Sequence, residues 1–184
     1  MLGPQSKKNS LRAAIIGFGV GLLIASLSIA AEASGDKNGD VNLNIGVSHD
    51  VGEKDVGLPV YPGSRPHKDK SDDDPAAHVW ISAGMFGVRV AVLKLESADA
   101  PGKIVPFYRQ ALAKYGKVLD CSNAANRNAG TTPDGLDCKD ENPQSGEVTL
   151  KAGTKHNQHV VAVKPNGKGS IIDLVCVQLQ GVGD

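Results

Sequence analysis

The stretch that decides the fold is Gln158-His-Val-Val-Ala-Val-Lys-Pro-Asn-Gly-Lys-Gly-Ser-Ile-Ile-Asp-Leu-Val-Cys-Val-Gln-Leu179. Two runs rich in β-branched residues, 158–164 and 170–179, stand on either side of a short polar segment. β-Branched residues favour strands, and an Asn-Gly step is the strongest short-range signal of a tight β-hairpin. The stretch therefore predicts two antiparallel strands joined by a turn at Asn166-Gly167.

Five further strands are predicted outside this hairpin. Alternation of apolar and polar residues with period two predicts the first, and the others are short runs that contain β-branched residues. Gly84 and Gly87 flank the link between the second and the third, which predicts a second hairpin. Residues 65–77 are charged and contain proline, so they predict a solvated loop. The five strands are residues 41–47, 78–82, 88–95, 117–121 and 147–151.

A change of period from two to 3.6 residues predicts one helix among these strands. Pro101 suits the first turn and Gly116 is a ready C-terminal cap, which gives about 15 residues. Pro106 lies inside this segment, so the regular helix either starts near Lys103 or bends at Pro106. The apolar stripe consists of Ile104, Tyr108, Ala111, Leu112 and Tyr115. We therefore expect an α+β fold in which one amphipathic helix packs on one face of an antiparallel sheet.

Residues 1–33 have the layout of a secretory signal peptide: a basic start, the uncharged apolar segment 13–31, and small residues at its end. The uncharged segment also comes close to the roughly 20 residues that span a bilayer, so a retained N-terminal anchor is the alternative. We expect export to the periplasm or the cell exterior. Residues 34–57 are then a leader with the first strand, and residues 58–184 form the α+β domain.

The charge balance excludes several classes of partner. The chain has 20 basic and 20 acidic residues, without the basic surplus that a nucleic-acid-binding protein needs. Removal of residues 1–33 takes away three basic groups and one acidic group, which leaves a net charge of −2. This balance predicts contact with a membrane only through an uncleaved N-terminal segment. With these classes excluded, we expect the partner to be an unknown protein or small molecule.

The cysteines predict one disulfide. Cys121 and Cys138 bracket a polar loop that has no core of its own, and thiols of exported proteins pair. A bridge between them would close the loop 121–138. Cys176 lies in an apolar run, which predicts a buried free thiol.

Two groups of residues are weak candidates for a metal site. His156 and His159 would point to opposite faces of a strand and would converge only in a turn. Asp72, Asp73 and Asp74 offer three carboxylates to calcium, but such a run is by default part of a solvated loop. The segment 36–40 begins like a calcium loop, although its glycine stands at the fourth position rather than the sixth. We therefore expect no cofactor.

Aromatic side chains pose a similar choice between a ligand platform and the core. Phe107 and Tyr108 are neighbours on the helix and point about 100° apart, so they cannot share one stripe. Tyr108 belongs to the core stripe, and Phe107 is either peripheral core or a contact residue. The candidates for a platform are Tyr61, Trp80, Phe86, Phe107 and Tyr108.

The chain resembles a group of small uncharacterised exported bacterial proteins. The resemblance rests on five segments in this order, mainly turn and core residues, and it implies no activity and no catalytic residue. The segments are Leu58-Pro-Val-Tyr-Pro-Gly-Ser64, Phe86-Gly-Val-Arg-Val90, Val105-Pro-Phe-Tyr-Arg-Gln-Ala-Leu112, Lys117-Val-Leu-Asp-Cys121 and Gly153-Thr-Lys-His-Asn-Gln-His-Val-Val-Ala-Val163.

The sequence as a whole favours a non-catalytic exported module that binds a partner or associates with the cell envelope. The signal-like segment, the near-neutral charge and the lack of a catalytic motif all point this way. The alternative is a metal-dependent or hydrolytic exported enzyme that uses His156 and His159 with nearby carboxylates.

Overall fold

A computed structural model describes residues 43–69, 74–127 and 130–181. The expectations for residues 1–33, for the segment 36–40 and for Asp72 and Asp73 therefore lie outside the described residues. In chain order, the elements are β1 Leu43–Ser48, α1 Glu53–Val56, β2 Arg65–Pro66, β3 Ala76–Ala83, β4 Phe86–Ser97, α2 Pro101–Leu112, β5 Leu119–Asp120, α3 Ala124–Arg127, β6 Val148–Thr154, β7 Asn157–Asn166 and β8 Gly169–Gln180.

The strands form one antiparallel sheet in the order β1-β3-β4-β8-β7-β6-β5, with β2 added alongside β4. The predicted hairpin is confirmed as β7–β8, in which Asn166 pairs with Gly169 and Gly167 has a φ of 60°. The second hairpin is confirmed as β3–β4. The sheet and the helix α2 on it confirm the α+β fold class.

The prediction of a solvated loop over residues 65–77 is wrong at both ends. Arg65 and Pro66 pair with Glu96 and Leu95 as β2, and residues 76–77 already belong to β3. Charge misled the prediction, because Arg65 stays exposed on the sheet and its Nε donates to Glu96 at 2.6 Å. The strand predicted at 117–121 shrinks to β5, since only Leu119 and Asp120 pair with β6.

Helix α2 confirms the apolar stripe. Ile104, Tyr108 and Leu112 are fully buried, and a 3-10 turn at Ala113–Tyr115 continues the helix to the cap at Gly116. The helix begins at Pro101, so a start near Lys103 is wrong. Pro106 is accommodated inside the helix, where it is exposed to solvent on the side away from the core.

The two faces of the sheet differ in what covers them. We call the face under α2 the core face; its buried residues include Leu95 of β4, Val161 of β7 and Leu174 of β8. We call the opposite face the open face. At its β6 end, Thr149 and Lys151 are buried, and Lys151 Nζ lies 3.0 Å from Glu141. The segment that follows β5 therefore covers this end of the open face. No helix among the described residues is long and apolar enough to cross a membrane.

The predicted disulfide between Cys121 and Cys138 is confirmed, with Cα atoms 5.3 Å apart and both residues buried. Leu136 is buried beside the bridge, and its N–H donates to Thr132 Oγ1 at 3.0 Å. Cys176 is buried and unpaired, as predicted. The bridge thus closes the loop 121–138, and the N–H of Cys121 donates to the carbonyl of Thr149 in β6 at 2.8 Å, which joins the start of the loop to the sheet.

Removal of the bridge should lower the free energy of unfolding by about 3 kcal/mol, because the unfolded chain regains the freedom of a loop of this length. We expect urea unfolding of Cys121→Ala/Cys138→Ala to show this loss, whereas Cys176→Ala should keep the bridge. The unreduced wild type and Cys176→Ala should both weigh about 2 Da less than their reduced forms. Equal urea midpoints for the wild type and the double variant would contradict the prediction.

Candidate interaction surface

The two candidate histidines lie in different surroundings. His156 lies in the turn between β6 and β7, whereas His159 is on β7, faces the core and is 3% exposed. Asp74 forms an ion pair with His49 at 2.9 Å. Among residues 43–69, 74–127 and 130–181, no group of three or more His, Cys, Asp or Glu side chains is placed to hold a metal ion. The structure therefore does not assemble a metal site from the candidates that it describes.

His159 completes the C-terminus of α1. Its Nδ1 donates to the carbonyl of Val56 at 3.0 Å, and its ring stacks on Tyr115 with centroids 3.6 Å apart. The hydroxyl of Tyr115 donates to the carbonyl of Gly57. The last carbonyls of a helix have no partner within the helix. The His159 ring and the Tyr115 hydroxyl supply the missing donors for the carbonyls of Val56 and Gly57. Burial lowers the pKa of His159 below its usual value, which keeps the ring neutral in this position.

A polar cavity of about 340 Å³ adjoins His156. The backbone N–H of Lys155 donates to the carbonyl of Asp134 at 3.0 Å and joins the disulfide loop to the β6–β7 turn. Asp134 is the one carboxylate in its lining, so the cavity lacks the carboxylate pair that glycoside hydrolysis requires. The lining residues are Pro133, Asp134, Gly135, Thr154, Lys155 and His156.

The five aromatic candidates do not form one platform. Phe107 packs edge to face against Tyr61 and Tyr108, with centroids 5.2 Å and 5.0 Å away, and all three belong to the core or its margin. Trp80 and Phe86 lie on opposite faces of the sheet, because Trp80 pairs with Arg89 and Phe86 pairs with Ala83. The core interpretation of Phe107 and Tyr108 is confirmed.

An exposed apolar surface lies at one end of the open face. Its strand residues share this face through the register, in which Ile45 pairs with Ile81 and Ile81 pairs with Val88, and Met85 lies in the β3–β4 turn beside them. Each is between 39% and 77% exposed. We call this surface the apolar patch; it consists of Leu43, Ile45, Val47, Ile81, Met85, Phe86 and Val88.

Charge separates the two ends of the open face. Strand β1 and residues 79–88 contain no charged side chain. At the other end, Lys164 Nζ lies 2.7 Å from Asp173, which is paired in register with Lys94, and Lys94 bonds Asp69. Ion pairs occupy this end of the face, whereas the side chains of the apolar patch present only hydrocarbon and sulfur to solvent.

Trp80 supports the apolar patch from the core face. It is paired in register with Gly46, and a Cβ on Gly46 would lie only 1.9 Å from Cζ2 of the indole. The indole therefore lies directly on the glycine backbone, an arrangement that compensates for a glycine in an edge strand. Beside it, Arg89 Nε donates to His78 Nε2 at 2.6 Å, and Arg89 reaches Asp55 of α1 at 3.1 Å.

Sequence reasoning missed both the cap and the apolar patch. The bond between His159 and Val56 joins residues 103 positions apart, which no local pattern signals. One sequence feature indicated the patch, namely the alternation of apolar and polar residues in β1. The sequence alone does not show that the apolar residues of β1 lie on an uncovered face, because that depends on the register of β1, β3 and β4.

Gly46→Ala should displace the indole, because the new methyl group would overlap it. We expect a loss of about 1–3 kcal/mol of stability and a red shift of emission as the indole moves into water. Trp80 is the single tryptophan, so emission reports this contact directly. Gly52→Ala is the control, since a Cβ there meets nothing within 4 Å. Unchanged emission in Gly46→Ala would refute the packing of Trp80 on β1.

His159 should make stability depend on pH. The folded state holds the ring neutral, whereas the unfolded chain takes up a proton below about pH 6.5, so stability should fall as the pH drops from 7.5 to 5.5. His159→Asn should lose this part of the pH dependence, whatever its absolute stability, and His156→Asn should keep it. Urea midpoints at the two pH values measure the difference. An equal pH-dependent loss in the wild type and His159→Asn would contradict the assignment.

Comparison of the chain with protein-family models, curated proteins and solved structures finds no match. The resemblance to small exported bacterial proteins therefore stays a prediction. The apolar patch is the exposed surface of the described residues that most favours contact with a partner.

Proposed function

We propose that this protein is exported and that its domain is a non-catalytic binding or envelope-associated module, which takes its partner on the apolar patch. The observation that carries the proposal is the exposure of seven large apolar side chains at one end of one sheet face. Monomeric soluble proteins rarely expose contiguous apolar patches larger than a few hundred Å². A patch of this kind supports contact with a partner rather than with water.

The composition of the central strands supports the same conclusion. Residues 88–95 and 171–177 are apolar at most positions, as is typical of strands covered on both faces. On the core face, Leu93, Leu95 and Leu174 are buried. On the open face, Val90 and Val177 are only partly buried and adjoin the apolar patch. The described residues thus cover one face of these strands and leave the other in contact with water.

Export is supported by two independent features. Residues 1–33 read as a signal peptide or anchor, and the Cys121–Cys138 bridge suits an oxidising compartment. The partner is then a protein or small molecule of the periplasm, the envelope or the exterior. With a net charge of −2 in the mature chain, a nucleic acid is not a fitting partner.

The alternative of a metal-dependent or hydrolytic enzyme has no supporting geometry among the described residues. Such an enzyme would require His156 and His159 to lie together near a carboxylate. Instead, His159 is engaged with Val56 and Tyr115, while His156 lines the polar cavity beside Asp134.

The test compares two lysine variants of the same strand. Ile45 and Asn44 are adjacent, both exposed, and point to opposite faces of β1. Tagged wild type, Ile45→Lys and Asn44→Lys are cross-linked in the exporting cells and recovered from the envelope fraction. We expect the wild type and Asn44→Lys to recover the same partner, and Ile45→Lys to lose it at least tenfold. Equal recovery by all three proteins would overturn the proposal.

A further inference from the structure

We infer that the partner on the apolar patch is a second copy of this chain, packed patch to patch about a two-fold axis. The inference rests on the proposed function, since it names the partner of the same surface. Closed two-fold dimers are the commonest soluble oligomers, and in such a dimer the same surface of each copy must fit itself.

The charge distribution favours a second copy. In a two-fold contact, the same surface of each copy meets itself, so a surface with a net charge of one sign would repel its copy. The apolar patch brings no charge to such a contact, because β1 and residues 79–88 are uncharged. The mixed ion pairs of Lys94, Lys164 and Asp173 lie at the other end of the face, so an overlap of the two apolar ends leaves them outside the contact.

The same distribution argues against a lipid surface. Proteins that rest on membranes usually surround their apolar side chains with Lys and Arg, which attract anionic lipids. In residues 76–90, Arg89 is the one basic side chain apart from His78. It lies on the core face, where it is paired with Asp55 and donates to His78. No basic rim surrounds the apolar patch within this segment.

The size of the apolar patch matches a dimer contact. Seven large side chains that are 39–77% exposed present on the order of 700 Å² together, close to the roughly 800 Å² that each partner buries in a standard interface. Four of the seven residues come from two adjacent strands: Leu43, Ile45 and Val47 lie in β1, and Ile81 lies in β3. An apolar sheet surface of this kind can pack against another sheet, with side chains that interleave and layers about 10 Å apart.

The experiment is sedimentation velocity over a concentration series, on wild type, Ile45→Lys and Asn44→Lys purified from exporting cells. We expect the wild type and Asn44→Lys to form dimers, and Ile45→Lys to dissociate at a concentration at least tenfold higher. Phe86→Asp is a second patch variant at the far end of the surface and should weaken the dimer likewise. Trp80 emission like that of the wild type shows that each variant is folded.

Three other results would overturn the inference. A dimer that persists unchanged in Ile45→Lys and Phe86→Asp lies elsewhere on the molecule. If the wild type is monomeric but still has an envelope partner that depends on the patch, the inference of a dimer is wrong and the proposed function stands. If the wild type is monomeric and has no such partner, the inference and the proposed function are both wrong. A monomer that cosediments with phosphatidylethanolamine–phosphatidylglycerol vesicles through Ile45 and Phe86 assigns the patch to lipid.

Discussion

The pairing of β4 with β8 is the constraint on which the rest of the structure depends. It runs without interruption from Gly87–Gln180 to Ser97–Ser170 and joins an N-terminal group of strands to a C-terminal group. A register that is correct at one pair sets the face of every side chain along both strands. It places Leu95, Ile172 and Leu174 in the core face, and it places Val90 and Val177 on the face that runs into the apolar patch. The register of β4 with β8 therefore determines both which side chains form the core and which lie on the open face.

Much of this fold could be predicted from local pattern. The Asn166-Gly167 step and the runs on either side of it specify β7 and β8, and the 3.6-residue stripe specifies α2. Two cysteines around a polar loop identify the disulfide. These signals are local, so their physical meaning does not depend on the rest of the chain.

The elements that escaped prediction depend on distant partners. Strand β2 has only two residues, and it exists because Glu96 and Leu95 of β4 pair with it. His159 looked like a candidate ligand because its partner, the carbonyl of Val56, is far away in the sequence. The same long-range ties hold the four-residue helix α1, which has too few turns to be stable alone. The apolar patch likewise needs three strands in register before its residues become neighbours.

The place of β8 in the sheet has a consequence for the order in which the chain can fold. A chain emerges from the ribosome or from a translocation channel with its N-terminus first, so β1, β3 and β4 appear long before residues 169–180. Strand β8 is the last strand in sequence, yet it lies between β4 and β7. The edge of β4 that pairs with β8 must therefore stay unpaired until almost the whole chain is available. Vectorial folding cannot complete this domain piece by piece, and a chain that ends before β8 would be two separate groups of strands.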